Sequence, residues 1–108
     1  MPDVISDRER GEERKFEMDQ EMQFKAEARR NKLLGNWLAG EFGMGPAETD
    51  EYAKELVIAD LEEPGIEDLI AKVMSDISKR GIDISDAELR VKIAELNVAA
   101  MRELNEED

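Results

Sequence analysis

Apolar residues return at helical spacing in four stretches of this chain, separated by glycines, prolines and charged residues. The cleanest period is Ile66, Leu69, Ile70, Val73, Met74 and Ile77, which predicts a helix over residues 66–79. Lys79 and Arg80 stand at its end, where the helix dipole favours cations, and Gly81 supplies the stop. Upstream, Tyr52, Ala53, Leu56, Val57 and Leu61 form the stripe of a helix predicted over residues 47–61, interrupted by Glu62, Glu63, Pro64 and Gly65. A last helix opens on a strong start signal: Ser85 with Glu88 makes a capping box, and Ile84 with Leu89 makes a hydrophobic staple. Leu89, Ile93, Leu96, Ala100 and Leu104 continue it, before a polar tail at residues 105–108. No segment reads as a strand and the connections are short, so the pattern predicts an all-α, four-helix fold.

The first stretch, residues 16–38, is both helix-forming and basic, and the other three helices are expected to pack onto it. On a helical wheel centred on Leu33, Met22, Ala26 and Trp37 share one face, which places the sole Trp in the expected core. Lys25, Arg29 and Lys32 cluster beside that face, while Arg30 and Leu34 border it on the other side. Phe16, Gln20, Phe24 and Ala28 follow one another at i+4 and form a second, narrow stripe, which either the last helix or a partner covers. Gly40, Gly43, Gly45 and Pro46 are expected to end this helix and start the next. The glycine spacing from Gly40 to Gly45 resembles part of a phosphate-binding loop. However, Pro46 stands where that loop needs Lys and no strand precedes it, so a helix–helix connection is favoured.

Residues 1–15 differ from the rest. After Val4 and Ile5, residues 6–15 carry no apolar side chain and present no face to bury. Arg8 and Glu12 form a favourable i,i+4 pair, but Glu9 with Glu13 and Arg10 with Arg14 are like-charge pairs at the same spacing. Gly11 costs about 1 kcal/mol relative to Ala in a helix interior. The expectation is a weakly ordered N-terminal arm, frayed when free and able to become helical on a partner, joined to a four-helix domain at residues 16–108.

Charge narrows the choice of partners. The net charge is −13, yet residues 1–32 contribute only −1 of it and residues 33–108 contribute −12. Such an acidic body is a poor ligand for nucleic acid or anionic lipid. An acidic mimic of DNA is left open, weakened by the absence of a regular acidic array. With no Cys and no His, disulfides, Cys/His metal sites, thiol nucleophiles and His-based triads are all excluded. Asp83, Asp86 and Glu88 lack calcium-loop spacing, and Asp60, Glu62 and Glu63 read as a solvated loop. No catalytic constellation emerges, so a protein that is not an enzyme, without metal or cofactor, is expected. The chain also has no apolar run of bilayer length and no signal-peptide core, which suggests a cytoplasmic protein without direct membrane insertion, monomeric when free.

Lys15, Phe16, Asp19, Glu21, the run from Phe24 through Ala26, the run from Ala28 through Gly35, and Trp37 together carry a family resemblance. Asp7, Arg8 and Glu9 upstream agree with it, as do Tyr52, Ala53, Asp60, Glu62, Gly65 and Asp68 downstream. The chain resembles the ATPase inhibitor zeta subunits, small alphaproteobacterial proteins that inhibit the F-type ATP synthase. It departs from their pattern at Gly11, where Ala is expected, and at Met18, where His is expected. The resemblance implies a protein that binds the catalytic head and central stalk of the ATP synthase, peripheral to the inner membrane when bound. It also implies that Asp3, Val4, Ile5, Asp7, Arg8, Glu9, Arg10, Glu12, Arg14, Lys15 and Phe16 enter a catalytic interface as a helix and block rotation of the stalk. Phe24, Arg29, Arg30 and Lys32 form a possible secondary partner face, although pairing of the basic residues with the acidic later helices is favoured. The alternative is a helical adaptor or scaffold that binds another protein through the same arm.

Overall fold

A computed structural model of the chain contains four helices: α1 (Pro2–Phe42), α2 (Pro46–Glu62), α3 (Ile66–Lys79) and α4 (Asp86–Glu107). It describes the backbone of residues 2–107 and the side chains of residues 20–106, and no strand occurs among the described residues. The side chains of the weakly ordered arm expected at residues 1–15 lie outside the described ones.

The connections form as the local chemistry requires. α1 passes through Gly40 and stops at Gly43, whose φ of 74° suits a residue without a Cβ. There the amide of Met44 donates to the Ala39 carbonyl at 2.9 Å and that of Gly43 to the Gly40 carbonyl at 3.2 Å, which together make a Schellman ending. α3 ends in the same way: Gly81 has a φ of 66°, and Ile82 and Gly81 donate to Ile77 and Ser78. Pro46 occupies the first turn of α2, where its missing N–H is not needed. At the start of α4 the Glu88 amide donates to Ser85 Oγ at 3.1 Å, and Ile84 and Leu89 are both buried in the core.

Leu34, Leu38, Tyr52, Leu56, Leu69, Val73, Ile77, Leu89 and Ile93 dominate the buried core. α1 packs on α2 and α4, whereas α3 packs against α2 and α4 rather than against α1. The expectation that all three later helices pack on the first therefore holds for two of them.

The buried face of α1 is also rotated from the one centred on Leu33. Leu34, Leu38 and Ala39 are fully buried, while Met22, Leu33 and Trp37 are only half-buried. The reason is that small and polar side chains, Gly35, Asn31 and Arg30, occupy much of the true contact face. A hydrophobicity count gives those positions no weight. A Cβ on Gly35 would stand 2.5 Å from Ala53 Cα, so it is this glycine that lets α1 and α2 approach.

Candidate partner-binding surface

The charged residues of α1 divide by the direction they face. Arg30 is buried, and its three guanidinium nitrogens each find an acceptor: Nε donates to Asn31 Oδ1 at 3.0 Å, Nη1 to Asn97 Oδ1 at 3.2 Å, and Nη2 to Asp60 Oδ2 at 3.5 Å. Asn31 Nδ2 donates to the same Asp60 oxygen at 2.8 Å. One guanidinium thus ties α1 to α2 and α4, and burial in low dielectric makes each of these bonds costly to break. Arg29 pairs with Glu103 of α4 at 3.2 Å, half-buried. Lys25 reaches Glu21 of its own helix at 4.0 Å, and Lys32 is exposed. Arg29 and Arg30 thus neutralise carboxylates of the later helices, as the charge distribution favoured, and Arg30 is not on the surface.

Phe24 is 57% exposed, so the last helix does not cover it. It stands at the mouth of a groove of about 640 Å³ between α1 and the α2–α3 connection, lined also by Val57, Leu61, Pro64 and Ile66. The Arg30, Asn31 and Asp60 network forms its floor. The sequence pattern placed Leu61 in the core stripe of α2, whereas it is 56% exposed in the last turn of that helix. The signal that distinguishes it is its position: it is followed directly by Glu62, Glu63, Pro64 and Gly65, which turn the chain away before another helix can cover it.

Other polar side chains of the body link its helices to one another. Tyr52 Oη donates to Asp76 at 2.8 Å, and Lys72 bridges Asp76 at 3.0 Å and Glu55 at 3.1 Å. Arg90 holds Glu67 across α3 and α4 through two bonds of 2.8 Å, which lowers the Glu67 carboxyl below its ordinary range. Among the described residues no His, Cys, Asp and Glu side chains are grouped to hold a metal ion. No described helix is long and apolar enough to cross a membrane.

The partner-binding residues expected in the arm, from Asp3 to Phe16, lie outside the described side chains. What the described part adds is where the bundle takes hold of α1. Among the described residues, the first buried side chain on that helix is Ala26.

Comparison with known proteins places these features in context. Residues 2–103 match a family described as ATPase inhibitor subunit zeta. A protein solved by solution NMR is 45% identical, with a TM-score of 0.70 over 81% of this chain and 99% of that one. No curated protein matches the chain.

Proposed function

The chain belongs to the ATPase inhibitor subunit zeta family, and on that premise we propose that it restrains ATP hydrolysis by an F-type ATP synthase through its N-terminal arm. The arm enters a catalytic interface of the head as a helix, reaches the central stalk and blocks its rotation. The body stays outside and limits how far the arm inserts. In this role the protein is a regulatory subunit, acting in the cytoplasm and peripheral to the inner membrane.

The observation that carries this reading is the division of α1. Its fully buried contacts with the bundle begin at Ala26, and in the described turn before it only Met22 is half-buried. The family match nonetheless extends back to residue 2. The sequence of residues 6–15 agrees, because a segment without apolar side chains gains its helical order from a partner rather than from its own chain.

The test is an ATPase assay on the membrane-free head of the enzyme. Deleting residues 1–14 should abolish inhibition while leaving the circular-dichroism melt of the body intact. Gly11→Ala should tighten inhibition several-fold, since it removes up to about 1 kcal/mol of helix cost, and Gly11→Pro should weaken it. An arm-deleted protein that inhibits fully would move the active surface to the body.

A further inference from the structure

The groove beside Phe24 lies outside the buried core. Phe24, Leu61 and Ile66 around it are 57%, 56% and 37% exposed. Scattered exposed apolar residues are ordinary, but several gathered around one concavity are the mark of an interaction site. The floor makes no demand for a polar ligand, because Arg30, Asn31 and Asp60 already satisfy one another. The rim is acidic: Glu27 lines the groove, exposed Glu62 and Glu63 follow Leu61, and Asp68 lies beside Gly65.

We infer that this groove is a second docking surface for the partner that receives the arm, and that it takes an amphipathic helix of the catalytic head with apolar side chains at its centre and Lys or Arg at its margins. The inference rests on the arm reading given above. Two observations select this occupant. The first is continuity: Phe16, Gln20, Phe24 and Ala28 recur at i+4, so a surface that follows the arm along this stripe of the sequence arrives at Phe24 and the groove. The second is charge: an acidic rim around an apolar centre complements a basic-edged helix laid in the groove, and it repels an acidic one such as α2 of a second copy of this chain.

The test uses the full-length protein and the purified membrane-free ATP synthase head, with retention on the head and inhibition measured separately. Leu61→Arg should raise the half-saturating concentration for retention at least tenfold and leave maximal inhibition at saturation unchanged. Leu61→Met should stay within about twofold of the parent. Glu62→Lys with Glu63→Lys should weaken retention and flatten its dependence on salt. These side chains are exposed, so the melting temperature reports that each variant is folded. Leu61→Arg retained as tightly as the parent overturns the inference and leaves the arm reading standing. A parent that is retained but does not inhibit overturns the arm reading, and loss of retention in Leu61→Arg then still supports the groove. A parent that is not retained at all overturns both.

Discussion

Gly35 is a single residue on which the closeness of two helices depends. Adding a Cβ there improves helix propensity by up to about 1 kcal/mol, but the clash is with the backbone of Ala53, which cannot rotate away. Gly35→Ala should therefore push α1 off α2 and destabilise the protein by about 1–3 kcal/mol net, read as a lowered urea midpoint. Tyr52 makes a different prediction. Burial, and then its bond to Asp76, raise the phenol well above its ordinary value of 10.0. The folded phenol keeps its proton where the unfolded one loses it. The stability it contributes is thus complete below about pH 10 and declines as pH rises further, by at most about 1.4 kcal/mol per pH unit. Lys72 acts in the same direction: burial pulls its ammonium down, but Asp76 and Glu55 outweigh that and leave it raised. Tyr52→Phe should cost about 1 kcal/mol at neutral pH and make the decline above pH 10 shallower in urea unfolding followed against pH.

At the scale of the helix, most ends and the apolar faces of α3 and α4 followed local rules, and the face of α1 did not. α3 runs over residues 66–79 as its apolar period predicted, and its last turn closes on Gly81. The Ser85 cap forms, and its staple partners Ile84 and Leu89 are both in the core. For α1, by contrast, the apolar stripe through Leu33 and Trp37 marks the edge of the contact rather than its centre. Trp37 packs against the core with one side of its ring, and the Lys92 ammonium lies 5.1 Å from the ring centroid. Trp37→Ala should accordingly cost about 2 kcal/mol, below the range of about 3–5 kcal/mol for a fully buried aromatic, as measured by the denaturation midpoint.

Over the whole molecule the excess of acid is organised around a basic helix. Arg29 and Arg30 of α1 take Glu103 and Asp60 from the later helices, so part of the body's negative charge is met at the seams of the bundle. The remaining acid stays exposed, and around the groove it chooses between partners by repulsion as well as attraction. The chain has no His, and the shifts of Glu67, Lys72 and Tyr52 all move those groups further from neutrality. Inhibition by this protein should therefore change little between about pH 6 and pH 8 when assayed against a head whose own activity is flat over that range. A steep change there would contradict the assignment of its charges.

The sequence by itself determined the class of fold, the number of helices and most of their ends. Those features depend on periodicity, glycines, prolines and caps, which act within a few residues along the chain. It also determined the family, through a run of residues from Phe24 to Trp37 that no tertiary fact was needed to read. Only the tertiary structure decided which face of α1 is buried, because that depends on Gly35 admitting Ala53 and on Arg30 finding Asp60 and Asn97 at once. It alone separated Leu61 from Leu56, two leucines of the same stripe, since one meets a covering helix and the other stands beyond the last one. Burial is a property of what arrives from elsewhere in the chain, and a local pattern records only the readiness to be covered.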